Sequence, residues 1–510
     1  MINKLTSLFL ATISPCLYAQ DYTMIEIDSQ IETVQPMTGI VFWPGNSRIE
    51  TDAISLEYSY MSYADVVKGK GIYDWTPVEE LLDDMAARNH QAVLRFRFSY
   101  PGRTTTVPEY IKDLDDYNET MGKSEGRDTY FPDWTHPELK EFTIDFYTEY
   151  AREYDDDPRL AFIQTGFGLW AEYHIYDGPF KLGETFPSKE FQTSFFKHLD
   201  TVFVSTHWSV SIDAASDTYS PFISQPELKD LRFGLFDDSF MHKGHGGYNT
   251  SNWNFFDRER YKRTPAGGEF SYYTDYDQEN VLNEHVGAHG IAFETAVEDF
   301  HMSYINGNDQ SRYQSIERIK AASMYMGYRF KINSFQVSAD ASIVEIENVG
   351  VAPFYYDAYV AVNGIRTSES LKLLSPGETL TSTIASGGDQ PVLTIESDRI
   401  LPTQKIEYYG TINDPYVYVP QEIEETLNSQ KKSEVNKAFF AFEQSGQIII
   451  RSESLSLDEV IIYDMQGKVV YRHMKDGKTT SLRIPKGAIN AKSGLYIVRT
   501  SLGIQKIVLD

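Results

Sequence analysis

Between about residue 38 and 330, short apolar runs of strand period alternate with stretches in which apolar residues recur at helical spacing. "SLEYSYMSYADV" predicts the first strand, and "GIYDWTPVEELLDDMAARNH" a turn and a helix, with Thr76 as the cap and Glu79 three residues on. Further strands are predicted at "QAVLRFRFSY", "LAFIQTGF", "TVFVSTHWSVSI", "RFGLFDDSF", "GGEFSYY" and "EDFHMSYING", with a helix at "PELKEFTIDFYTEYAREY". Such alternation argues for a parallel sheet, and its length fits an α/β fold of the (β/α)8 TIM type. A doubly wound open sheet is the alternative. It lacks a complete G-x-G-x-x-G turn, since Gly166 and Gly168 stand without a third glycine.

After residue 330 the period changes to two. "FKINSFQVSADASIVEIENVGVAPFYYDAYVAVNG" and "LKLLSPGETLTSTIA" alternate apolar with polar residues and break at Gly, Pro and Asn, which predicts a β-sandwich. The resulting division is a leader at 1–19, a barrel at 20–330, a sandwich at 331–413, a polar linker at 414–437 and a small β-module at 438–510.

Composition narrows the function. A formal charge of -28 over 510 residues argues against a nucleic-acid partner, because phosphate binding is built on clustered Lys and Arg. Thirty-five tyrosines and six tryptophans suit sugar faces as well as a core. "MINKLTSLFLATISPCLYAQ" reads as a secretory signal cleaved near Ala19, too short for a membrane span. Cys16 lies within it, so a mature chain has no thiol for redox or thiolate-metal chemistry. No second apolar run of membrane length follows, and the expected location is secreted or at the cell surface.

In a barrel of this kind, side chains leave the packed interior at the C-terminal strand ends. Those ends supply Arg95 and Arg97, then Trp170, Glu172, Tyr173 and His174, then His207 with Trp208, then Asp237 and Asp238, then Glu269, and finally His301, Tyr304 and Asn306 as candidates. Glycosidic cleavage needs one carboxyl held protonated for the leaving oxygen and one ionised to attack or stabilise the sugar, about 5–5.5 Å apart in retaining enzymes. Glu172, beside Trp170 at the end of an apolar strand, is the candidate acid, and Glu269, after two glycines, the candidate nucleophile. No cofactor is needed for this route, and no metal ligands are assigned.

"FDDSFMHKGHGGYN" supports a rival. His242, His245 and Lys243, with Arg95, Arg97, His174 and His207, can hold an anionic sugar such as a uronate in a sulfated, ulvan-like algal polysaccharide. A lyase would then break the bond by β-elimination, with Tyr173, His174 and His207 as base and acid candidates and a divalent cation such as Ca²⁺ as an optional aid. A third class, a non-catalytic glycan-binding protein, keeps the aromatic residues without the paired carboxylates. Trp43, Trp75, Trp134 and Trp253 are candidates for stacking or core, and "YDDDPR" for a helix-ending acidic turn.

Two resemblances add to this. Val460 to Arg472 with its Asp-Met-Gln-Gly-Lys turn, then "SGLYIV" and Lys506-Ile507-Val508, resembles the C-terminal sorting domain of the type IX secretion system of Bacteroidetes. This implies that secretion machinery as a partner. Residues from about 38 to 410 resemble a bacterial family described only as a domain of unknown function, a secreted glycosidase-like barrel followed by a β-sandwich. The matching stretches are "GIYDW", "LRFRF", "GFGLWAEYH", "GGEF", "HMSYING" and "NVGVAPFYY". Glu172 near strand four and Glu269 near strand seven are similarly placed to the acid and nucleophile of the large clan of retaining glycoside hydrolases, although Ala171 stands where that clan usually has Asn.

Overall fold

The computed structural model describes residues 21–244, 249–284 and 287–413, together with the strand-forming stretches between 439 and 509. The leader with Cys16, His245 and the linker 414–437 lie outside the described residues.

Eight strands close into a parallel barrel. They are β1 (Gly39–Phe42), β2 (Leu56–Ser62), β3 (Gln91–Arg97), β4 (Leu160–Thr165), β5 (His207–Ser211), β6 (Phe233–Phe240), β7 (Ala266–Phe270) and β8 (Met302–Asn306). Each pairs in parallel with the next, and β8 closes on β1. "SLEYSY" is thus the second strand, because β1, "GIVF", precedes it. That run is four residues long and buried on both faces, so it has no alternation to betray it.

The helices between strands bury one stripe. In α1 (Thr76–Ala87) this is Val78, Leu82 and Met85, and in α2 (Pro137–Tyr154) Leu139, Phe142, Phe146 and Tyr150. Thr76 is the first helical residue rather than the cap, and Asp74 Oδ1 accepts its backbone N–H at 3.1 Å. Further helices include α3 (Lys189–Val202), α4 (Phe293–Phe300) and α5 (Ile316–Tyr325).

Strand period sorts the side chains of β3. Ala92, Leu94 and Phe96 join the core under the helices, while Val93 faces the barrel interior and Arg95 follows on that face. The interior set, with Val41, Leu56, Tyr58, Phe162 and Tyr304, runs without a break into the apolar face of the C-terminal sandwich.

One sheet of that sandwich contains β9 (Phe330–Val337), β10 (Ser342–Asn348) and β13 (Thr379–Ile384); the other orders β12 (Ile365–Ser370), β11 (Tyr359–Val362) and β14 (Leu393–Glu396). The loop between β10 and β11 closes the barrel floor. Tyr356 donates its hydroxyl hydrogen to the Ala161 carbonyl, and its hydroxyl oxygen accepts the His207 N–H at 3.3 Å. Arg399 adds bonds to the Asp155 carbonyl and Thr206 Oγ1, both at 2.9 Å. The leading segment belongs with the sandwich rather than the barrel: Thr23–Met24 pairs antiparallel with β9, and Ile27 donates to Thr411 Oγ1 at 2.8 Å.

In the C-terminal module, Glu459–Tyr463 pairs antiparallel with Val469–Met474, and Gly494–Thr500 with Gly503–Leu509, where the sequence placed strands. Among the described residues, no helix is long and apolar enough to cross a membrane.

Candidate active site

The loop after β4 explains the polar cluster at the end of an apolar strand. From Gly166 to His174 the chain folds back on itself: Gly168 donates to the Glu172 carbonyl at 2.8 Å and Leu169 to the His174 carbonyl at 3.1 Å. A Cβ on Gly166 would lie 2.1 Å from the Ala171 carbonyl oxygen, and one on Gly168 2.0 Å from that of His174, so neither position accepts a side chain. Trp170 and Ala171 turn through positive φ, 55° and 58°. This tight loop turns the Trp170, Glu172 and His174 side chains toward the barrel mouth and Tyr173 into the core.

Arg95 organises the floor of the mouth. It is 2% exposed, and its Nε donates to Gln164 Oε1 at 2.9 Å and its Nη1 to the Trp170 carbonyl at 3.1 Å. Gln164 in turn donates to the Tyr304 hydroxyl at 3.0 Å. The guanidinium lies 3.6 Å from Glu172 Oε1 and 3.4 Å from Asp238 Oδ1, and Ser211 donates to the other Asp238 oxygen at 2.6 Å. Glu269, at the end of β7, accepts from Asn306 Nδ2 at 3.3 Å. Glu172, Asp238 and Glu269 each bring one oxygen within 4.8 Å of the others. Arg95 supplies the positive charge at this cluster.

Burial is the first cause of the electrostatics here. It holds the Glu172 carboxyl well above the usual carboxylate range; Asp238 adds to the rise and Arg95 opposes it. Glu269 is pushed up to about 8 by burial, against the pull of Arg95 and with a further push from Asp238. Asp213, just beyond β5, is pushed up to about 6 by burial, with His174 drawing it back. Glu172, Glu269 and Asp213 thus retain protons that isolated carboxylates would lose.

Above them opens a cleft of about 790 Å³ whose walls mix aromatic rings with carboxylates. Trp43, Tyr60, Tyr100 and Trp170 line it, and Tyr176 stacks on Trp170 with ring centroids 5.8 Å apart. Tyr272 and Tyr273 also line the cleft, and the His242 ring lies 4.5 Å from that of Tyr273.

The structure brings Arg95, Trp170, Glu172, His174, Asp238, Glu269 and Asn306 together at or beneath this cleft. Arg97 sits above Arg95 on the same strand face, its guanidinium 5.0 Å from the Tyr100 ring centre. Asp237 lines the cleft, but its carboxylate takes the Trp253 indole N–H at 3.0 Å and the Asn249 amide at 2.9 Å, which fixes the segment after β6.

Three expected residues, besides Trp208 buried against Phe196 and Phe233, stand elsewhere. Tyr173 is fully buried among Phe167, Phe186 and Phe196. His207 begins β5 rather than ending it, so it lies at the barrel floor against Tyr355 and Tyr356, where burial pushes its imidazole down to about 4. His301 precedes β8 and accepts no place in the cleft: its Nδ1 lies 2.7 Å from the Val351 carbonyl, and its ring stacks on Tyr261. Of the tryptophans, Trp43 lines the cleft, whereas Trp134 and Trp253 are buried and Trp75 packs against α2. In "YDDDPR", Asp155 takes the backbone N–H groups of Val204, Ser205 and Thr206, a structural anchor.

Sequence reasoning missed Asp213, Gln164 and Ser211. For Asp213 a signal existed, since "HWSVSID" read to its C-terminal end leads there rather than to His207. Gln164 lies inside the apolar strand β4 and carried none, whereas Ser211 is the last residue of β5, where its strand-end position was the signal.

No family model matches the chain, and no curated protein matches it. Solved structures do. One is a family 39 glycoside hydrolase from the gut symbiont Bacteroides cellulosilyticus WH2, at 9% identity over 70% of this chain and 82% of that one, with a TM-score of 0.38. The endo-β-1,4-mannanase from Thermotoga petrophila matches at 8% identity over 71% of this chain and 97% of that one, TM-score 0.33. A β-galactosidase from the psychrophilic Marinomonas ef1 matches at 12% identity, with 56% of this chain covering 59% of that one, TM-score 0.35.

Proposed function

We propose that the chain is an enzyme that cleaves glycosidic bonds in a polysaccharide, with Glu172 as the proton donor and Glu269 as the nucleophile. The observation that carries this reading is the approach of the two carboxylates across the open end of the barrel, oxygens within 4.8 Å, beneath an aromatic cleft. That spacing suits the retaining route, in which a carboxylate attacks the sugar directly and no water stands between. Glu172, buried beside Asp238, keeps the proton that a leaving oxygen requires. Glu269 must ionise before it attacks, and a sugar whose anomeric carbon gains positive charge favours its anion. The leader and the tail support action outside the cell, with the type IX machinery as the export partner.

Elimination is the second reading, and His174 favours it. Its Nε2 lies 3.3 Å from Glu172 Oε2, an acid–base pair of the kind that proton abstraction needs. Tyr173 and His207 lose their parts in that route because both lie outside the cleft.

The test is to incubate the protein with neutral and uronate-bearing polysaccharides and follow reducing ends and ultraviolet absorbance together. Hydrolysis gives new reducing ends without absorbance, and Glu172→Gln then lowers kcat about 10²–10⁴-fold. Glu269→Gln removes the nucleophile and abolishes turnover. Absorbance rising with the reducing ends would replace the two-glutamate route by elimination.

A further inference from the structure

We propose that Asp213 is a positioning residue for Glu172 and acts through His174. This rests on reading Glu172 as the acid. His174 Nε2 stands between the two carboxylates, 3.3 Å from Glu172 Oε2 and 3.9 Å from Asp213 Oδ2. Its other nitrogen, Nδ1, is buried and has no hydrogen-bond partner among the described residues. A buried N–H without an acceptor is costly, so the ring carries its hydrogen on Nε2, the atom that faces both acids. Its edge is fixed by Trp170 and Tyr176, ring centroids 6.3 and 5.3 Å away.

Asp213 is well placed to govern what that nitrogen does to Glu172. A hydrogen-bond donor aimed at Glu172 alone stabilises the carboxylate and weakens it as an acid. Asp213 Oδ2, at 3.9 Å beyond hydrogen-bond reach, attracts the same N–H electrostatically and so draws the ring edge away from Glu172. The remaining charged groups around Glu172 are Arg95 from β3, Asp238 from β6 and Glu269 from β7. None of these touches His174 in the described structure. Asp213 also acts on Glu172 directly, in the same upward direction.

The experiment follows the ionisation of Glu172 by carboxyl ¹³C chemical shift against pH, assigned by its loss in Glu172→Gln, in the full chain. Asp213→Asn is expected to lower the pH at which Glu172 ionises by about one unit, and Asp213→Glu to restore it. In a His174→Gln background the same Asp213→Asn change should shift Glu172 by less than half as much. Equal shifts in both backgrounds, or no shift in either, would overturn the proposal. Melting temperatures of the variants show whether the fold is retained. Because the titration needs no substrate, it stands apart from the glycan assay: absence of cleavage defeats the functional reading and leaves this result to be judged by itself. Where cleavage occurs, the alkaline limb of kcat/KM should move down with Asp213→Asn while KM changes little.

Discussion

At the residue scale, Glu269 ties function to stability. In the folded chain it ionises at about 8, against an ordinary value of 4.5, because it is buried near Asp238. Between those two values the folded state holds a proton that the unfolded state releases. Stability therefore falls as pH rises through that window, and Glu172 and Asp213 act in the same direction. Glu269→Gln removes one such group. Its melting temperature should decline less steeply between pH 5 and 8 than that of the unaltered chain and exceed it at pH 8. Parallel declines would show that the burial of Glu269 costs the fold nothing.

At the scale of elements, the loop after β4 delivers three side chains by one backbone path. Gly168→Ala forces a Cβ against the His174 carbonyl, so the fold-back must open, costing about 1–3 kcal/mol and displacing Glu172 with it. Circular dichroism melts and activity should fall together. A variant that keeps full activity would refute the part given to this turn. The same loop marks how far the sequence could be read. Strand and helix periods gave the barrel, and the polar residues of "GFGLWAEYH" and "GGEF" singled out Glu172 and Glu269 as candidates. Tyr173 was misplaced because adjacent residues of an irregular loop do not alternate by any period. His207 and His301 were misplaced because a polar residue at a strand's start looks, in one dimension, like one at its end. Strand β1 escaped because burial on both faces erases the alternation that reveals a strand.

At the scale of the molecule, the barrel and the sandwich share one core. Phe162 and Tyr304 inside the barrel belong to the same apolar cluster as Phe330, Phe354 and Tyr356 of the sandwich. Tyr356→Ala should destabilise the chain by about 3–5 kcal/mol, the range for removing a large buried ring, and lower the melting of barrel and sandwich as one transition. Two separated transitions in calorimetry would show that the two parts fold independently. A shared floor also sets the unit in which this architecture can be inherited or engineered. Gene fusion or shuffling that cuts between Arg329 and Phe330 leaves each product with an open apolar end, so a cassette exchanged intact has to include both Thr23, paired with β9, and Asn413, bonded to Ser29.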